Sequence, residues 1–255
     1  MKNFWMLTIV VVMLILTGCV SGSADTLIPS DITLQELEKK MNEATDPKGL
    51  FASSKSYIMR QEICEKHFLE DDEISMVEVK FEKPGKFAIT TYEDNQPVTV
   101  ICTNGKRAWM VECKDRREIP LSKEGIRRVE MLSSLGRPGS GGYSAVFPKV
   151  ELHKCTNEDG VFYRVTCYGE FQKEPMYFYI GVRDFLLRMV KMKVRVNADT
   201  AYDYENRIFD YEMRDGVLIP MKTKIRQNGA VQESKVIYYK LNPKIPARDF
   251  LPPVL

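Results

Sequence analysis

Hydrophobic and polar positions alternate along most of this chain, with a period of two rather than 3.6. Val77, Val79 and Phe81 alternate with Glu78 and Lys80, Pro84-Gly85 turns the chain, and Phe87 and Ile89 resume the alternation. Val190 to Val196 repeats the pattern without a fault, as a strand with one dry and one wet face requires. Turn signals separate such runs at Asn104-Gly105, Asn157-Glu158-Asp159-Gly160, Asp215-Gly216 and Asn228-Gly229. Pairing Thr103 with Lys106 across Asn104-Gly105 puts Val98, Val100, Trp109 and Val111 on one face. Pairing Gln227 with Ala230 sets Lys224 against Glu233 and Met221 against Val236.

Two segments carry the helical period instead. Thr33-Leu34-Gln35-Glu36 is a capping-box sequence, and Leu34, Leu37 and Met41 follow at helical spacing, which predicts a short helix ending before Pro47. Ser122 to Leu135 is the second, with Ile126, Val129 and Leu132 on one side and Gly136 as its stop. The glycine-rich loop after it, Arg137 to Gly142, lacks the Gly-Lys-Ser/Thr ending of a phosphate loop and follows a helix where a strand is required. The sum is a mainly β, α+β chain: one helix, about five strands, a second helix, then about six strands in antiparallel hairpins. Both helices must bury an apolar side, so a large curved antiparallel sheet covered by helices satisfies the pattern. A closed barrel and a two-sheet sandwich satisfy it as well.

The N-terminus has a different character. Lys2 precedes an apolar run from Phe4 to Leu16, and Leu16-Thr17-Gly18-Cys19 closes it. The run is short for a bilayer span, and this arrangement resembles the bacterial lipobox, which implies cleavage before Cys19 and acylation of its sulfur and new amino terminus. The expected organisation is a signal peptide over residues 1–18, a lipidated flexible tether over 19–30, and a single domain over 31–255. Val20 is not the aspartate that retains enteric lipoproteins at the inner membrane, which leans the anchor toward the outer membrane on the periplasmic side.

Removing residues 1–18 takes away Lys2 alone and leaves 36 basic against 35 acidic side chains, so no basic surplus asks for nucleic acid. Cys64, Cys102, Cys113, Cys155 and Cys167 are an odd number, allowing at most two disulfides whose pairing the sequence leaves open. No Cys-x-x-Cys pair occurs and His67 and His153 are the only histidines, so neither a metal centre nor a cofactor is expected, and small buried hydrophobes is the preferred reading of the thiols. Nucleophile-elbow, Ser-x-x-Lys and His-Glu-x-x-His motifs are missing, and His67, His153 and the pair Asp71-Asp72 read as solvated residues, so the chain is not expected to be an enzyme.

Several segments in order carry a family resemblance. The leading helix with Leu34 and Leu37, Glu82-Lys83-Pro84-Gly85-Lys86-Phe87, the Asn104-to-Trp109 hairpin, Gly181-Val182-Arg183-Asp184, Asp215-Gly216-Val217-Leu218-Ile219-Pro220, and the ending Ile245 to Pro253 resemble the outer-membrane lipoprotein-sorting superfamily, the LolA/LolB-like carrier and receptor proteins. The resemblance covers residues 30 to 253. It implies an incomplete β-barrel with helices as a lid over an apolar cavity that binds acyl chains of lipoproteins or other lipids without catalysis. Lys83 stands where the soluble carrier has arginine, and is the lid-latch candidate, with a point charge in place of a planar fork. The stripe Phe87, Ile89, Val98, Val100, Trp109 and Val111 is either the cavity lining or the core beneath the helices. Tyr143 to Phe147 is a candidate for a membrane-inserting loop. The expected role is a lipid-anchored lipid- or lipoprotein-binding protein of lipoprotein sorting or lipid transport. The alternative is an envelope signalling or structural module that binds a protein partner with the same fold.

Overall fold

The computed structural model describes residues 25–66, 72–121, 126, 142–169, 174–195 and 201–253. Cys19 with the expected signal peptide, the stretch holding His67 and Asp71, the glycine-rich loop before Gly142, and the expected helix at 122–135 apart from Ile126 lie outside them. The strands are β1 (Thr26–Pro29), β2 (Ser56–Lys66), β3 (Glu73–Glu82), β4 (Lys86–Glu93), β5 (Gln96–Asn104), β6 (Ala108–Glu112) and β7 (Arg117–Pro120). They continue as β8 (Lys149–Asn157), β9 (Gly160–Tyr168), β10 (Met176–Gly181), β11 (Leu187–Arg195), β12 (Ala201–Arg214), β13 (Val217–Gln227) and β14 (Ala230–Leu241). The order is β1-β8-β9-β10-β11-β12-β13-β14-β2-β3-β4-β5-β6-β7, so among the described residues the sheet is not closed into a barrel and β1 and β7 are its end strands. Contacts divide the chain into two compact units, one from the described residues between 53 and 136 and after 231, the other from those between 25 and 52 and between 137 and 231.

Local sequence explains the elements. Helix α1 (Leu34–Thr45) starts on the expected box: Thr33 Oγ1 accepts from the Glu36 N–H, and Glu36 Oε2 accepts from the Thr33 N–H at 2.8 Å. Its end is fixed by Asp46, whose N–H donates to the Asn42 carbonyl while its carboxylate accepts from the N–H groups of Leu50, Phe51 and Ala52. That carboxylate caps the short helix α2 (Leu50–Ser53), which accounts for an aspartate only 7% exposed. Asp215-Gly216 and Asn228-Gly229 form the expected two-residue turns, all four residues at positive φ. Asp94-Asn95 makes a turn of the same kind without a glycine, at φ 47° and 62°.

Two expectations are corrected. Thr26–Pro29, placed in the flexible tether by sequence, is a strand paired with β8, Leu27 opposite Cys155 and Pro29 opposite His153; proline is tolerated there because β1 is an edge. Across Asn104-Gly105, Thr103 pairs with Ala108 rather than Lys106. The turn is longer because Asn104 Oδ1 accepts from the N–H groups of both Lys106 and Arg107, and the Asn104 N–H donates to the Arg107 carbonyl.

In the second unit the apolar row Leu152, Val165, Phe178 and Val190 crosses four adjacent strands. Helix α3 (Tyr143–Val146) lies over it, with the Tyr143 and Phe147 rings 4.9 and 6.2 Å from Phe178. These rings are core, not a membrane-inserting loop. The Glu38 carboxylate of α1 accepts from the backbone N–H groups of Tyr143 and Ser144, and so joins the two helices; burial pushes its pKa up. None of the five described cysteines is bridged, and Cys102, Cys155 and Cys167 are fully buried, as small hydrophobes are.

Candidate lipid-binding site

The first unit shows how the predicted stripe is distributed. Following the register across the sheet, Ile58, Lys80, Ala88, Cys102 and Trp109 form one row and Glu78, Thr90, Val100 and Val111 the next, both on one face. Phe87 and Ile89 belong to the other face. There Met59, Val79, Ile89, Ile101, Met110 and Ile119 form a row across six strands in which every side chain is apolar. Phe87 lies in the neighbouring row with Tyr57 and Phe81, whose rings are 5.4 Å apart.

The split has a local cause. Glu93 pairs with Gln96 and Tyr92 with Pro97, but Thr91 pairs with Thr99, so Val98 is an extra residue in β5. Had Val98 paired with Thr91 in regular register, Ile89 would face Val100, and the six predicted residues would share one side. With the bulge Ile89 faces Ile101 instead.

The two faces are treated differently. Val100, Cys102 and Val111 are buried with Ala88 beneath Ile245 and Phe250 of the C-terminal segment, and Trp109 packs against them. Phe250, wholly buried, belongs to a 3-10 turn (Ala247–Phe250) that Asp249 ties to β3 through an ion pair with Lys80 Nζ at 3.0 Å. Lys80 also contacts Glu78 at 2.8 Å, and Arg60 reaches Glu78 at 2.6 Å. Burial pushes the Glu78 pKa up, but the hydrogen bonds and charges of Lys80 and Arg60 outweigh it and hold the carboxyl below its ordinary value. This face is therefore sealed by the chain's own residues. On the other face only Val79 of the six-strand row is buried, and Met59, Ile89, Ile101, Met110 and Ile119 are half-buried.

Of the predicted residues, Val100, Trp109 and Val111 come together in the packed cluster, Val98 is the bulge, and Phe87 and Ile89 lie across the sheet. Lys83 is exposed in the turn between β3 and β4, after Glu82 and before a cis Pro84; its backbone N–H donates to the Lys55 carbonyl at 2.8 Å. Met59, Val79, Ile101, Met110 and Ile119 were missed. Ile101 and Met110 stand at the alternate positions of strands whose other side carries the predicted Val100, Trp109 and Val111, while Met59, Val79 and Ile119 lie on strands from which the stripe takes no residue.

Among the described residues the second unit has an open groove of about 620 Å³ beside β1 and another of about 820 Å³ between the β8-β9 turn, the β10-β11 loop and β12. Neither is lined by the predicted stripe. Asp25, just before β1, accepts hydrogen bonds from Tyr179 at 2.7 Å, Arg164 at 2.9 Å and Asn157 at 3.1 Å. His153 is half-buried in β8 opposite Arg164 and not on a fully wet face; its Nδ1 is enclosed without a hydrogen-bond partner among the described residues.

No protein-family model matches the chain, and no curated protein does. Solved structures do. A LolA-superfamily protein from Nitrosomonas europaea matches with TM-score 0.60 at 13% identity, over 87% of this chain and 98% of that one. A putative outer membrane lipoprotein-sorting protein domain from Vibrio parahaemolyticus matches at 0.56 and 11%, over 86% and 97%, and a DUF1329-family protein from Desulfovibrio piger at 0.55 and 10%, over 86% and 95%. The fold is thus the one seen in LolA-superfamily proteins, as the sequence resemblance implies.

Proposed function

We propose that this protein is a lipid-anchored, non-catalytic lipid- or lipoprotein-binding protein on the periplasmic side of the cell envelope, acting in lipoprotein sorting or lipid transport. The observation that carries the proposal is the row Met59-Val79-Ile89-Ile101-Met110-Ile119: wholly apolar and largely half-buried, on the face that the C-terminal segment leaves uncovered. Two of the structures sharing this fold are described as a LolA-superfamily protein and a lipoprotein-sorting domain, which supports the same reading. An acyl chain laid across the row transfers about 0.8 kcal/mol per methylene from water, so ten buried methylenes give about 8 kcal/mol. That is sufficient to hold a chain out of water but not to pull one from a bilayer unaided, so loading from a membrane requires a partner.

The test is calorimetric titration of the delipidated protein with a lysophospholipid. Wild type binds it; Ile101→Glu and Met110→Glu lose at least tenfold in affinity while the cooperative unfolding transition is retained. Val100→Ala, on the sealed face, lowers stability and leaves affinity unchanged. A protein that binds no lipid in this assay, and instead retains a specific envelope protein through the same row, is the signalling or structural module that was the alternative.

A further inference from the structure

We infer that the β1 edge, with Leu27 and Ile28 at its centre, rests in the interfacial layer of the bilayer that carries the Cys19 anchor. The inference rests on the lipid-anchor reading above. From Cys19 to Asp25 is six residues, a leash that fully extended spans at most about 20 Å. Its far end is fixed, because the Asp25 carboxylate is held by Tyr179, Arg164 and Asn157 on three different segments of the second unit. A domain on so short a leash, attached at one fixed point, cannot turn a distant surface to the membrane. The surface beside Asp25 is β1.

That surface suits a bilayer interface. All four residues of β1 are exposed, Leu27 at 38% and Ile28 at 52%, although a leucine-isoleucine pair in a strand ordinarily covers a core. Ile28 pairs with Lys154, and Thr26 with Thr156, which pairs in turn with Val161, itself 44% exposed; Ile28 and Val161 therefore lie on one side of the sheet with Lys154 between them. Beyond the strand the groove is lined by Pro29, Ile32, Leu34, Leu152 and His153. The Lys154 ammonium is paired with Asp31 at 3.1 Å, and its methylene stem lies among the exposed aliphatic groups; an aliphatic patch edged by such a polar pair matches the boundary between headgroups and acyl chains.

The edge also limits the depth. β1 ends the strand order, so its outer backbone groups have no strand partner among the described residues. In hydrocarbon each such group costs several kcal/mol, whereas the headgroup layer contains water that satisfies them. The strand therefore lies at headgroup level with Ile28 and Val161 reaching down from one side of the sheet, and does not enter the acyl core.

The experiment uses the full lipidated protein in vesicles of phosphatidylcholine and phosphatidylglycerol whose acyl chains are brominated at either a shallow or a deep position. Wild type contains Trp109 alone after processing, and that residue packs beneath Phe250. The added emission of Ile28→Trp is expected to be quenched at least twofold by shallow bromines and less by deep ones, with Trp109 emission unchanged in wild type. Flotation with the vesicles but unquenched emission at position 28 overturns the inference and leaves the anchor standing. Failure to float with lipid removes the anchor, and the inference with it. A Cys19→Ser protein that sediments as a dimer, with position-28 emission already blue-shifted in the absence of vesicles, assigns the edge to a second copy and overturns it too.

Discussion

Lys80 Nζ on β3 lies 3.0 Å from Asp249 Oδ2, and this ion pair sets down the turn that puts Phe250 over the Val100-Val111 face. The pair is about three-quarters shielded from solvent on both sides, and Lys80 contacts Glu78 as well. The C-terminal segment is thereby part of the first unit's core. Phe250→Ala is expected to lower stability by about 3 to 5 kcal/mol, the cost of an emptied aromatic site, as read by urea unfolding. The same variant shifts Trp109 emission to the red, because water reaches the indole. Lysophospholipid, bound across the sheet, leaves that emission unchanged.

Glu78 gives the first unit a pH dependence with a definite sign. Its folded pKa lies below the ordinary 4.5, so the folded state binds the proton less readily than the unfolded chain. The stabilisation is complete above 4.5 and is lost as pH falls through the lowered folded value. Urea midpoints of wild type and Glu78→Gln should differ at pH 7 and converge in strong acid.

Glu38 has the opposite sign. Burial raises its pKa in spite of the N–H groups of Tyr143 and Ser144, so ionising it opposes folding as pH rises through and above 4.5. Glu38→Gln keeps an acceptor for those groups and is expected to unfold at a higher temperature than wild type at pH 7. Below pH 4 the two converge. Gly142→Ala is expected to be destabilising, since its Cβ would overlap the Glu38 carboxylate.

Thiol reactivity should follow burial. Desolvation pushes the Cys102 thiol up to about 12 and that of Cys155 to about 11, and raises Cys167 further. Mass spectrometry after brief treatment of the native protein with iodoacetamide is expected to find Cys64 and Cys113 labelled first. The other three react only on unfolding.

Asp25→Ala leaves Arg164 and Tyr179 without their carboxylate partner in a site where both are largely shielded. A cost of about 1 to 3 kcal/mol is expected. Hydrogen exchange localises it: the amides of residues 26–29 lose protection while those of β9 and β10 keep theirs.

What the sequence discloses here is whatever short range decides. The Thr33-Glu36 box and the Asp215-Gly216 and Asn228-Gly229 turns are legible because the interacting groups are within a few residues of each other. Asn104-Gly105 is a local signal that misleads by two residues, since Asn104 finds two backbone donors in a longer turn. A shift of two preserves which side chains share a face, so Trp109 and Val111 still accompany Val100. The placement of Phe87 and Ile89 fails for a different reason. It depends on one extra residue at Val98, and nothing in the alternation around Val98 marks it as unpaired. β1 was hidden as well, because four exposed residues after a polar stretch have no periodicity to read.

The bulge behaves as a phase slip in a wave of period two. On its β4 side odd-numbered residues look one way, on its β5 side the wave has advanced by half a cycle, and only because of that offset do Ile89 and Ile101 meet. Pairing Val98 with Thr91, in place of leaving it unpaired, would bring the two halves back into phase, setting Ile89 opposite Val100, moving Phe87 and Ile89 to the side beneath Phe250 and breaking the six-strand apolar row at its middle. One residue left out of the pairing thus decides whether the apolar row stays on a single side of the sheet or is divided between two.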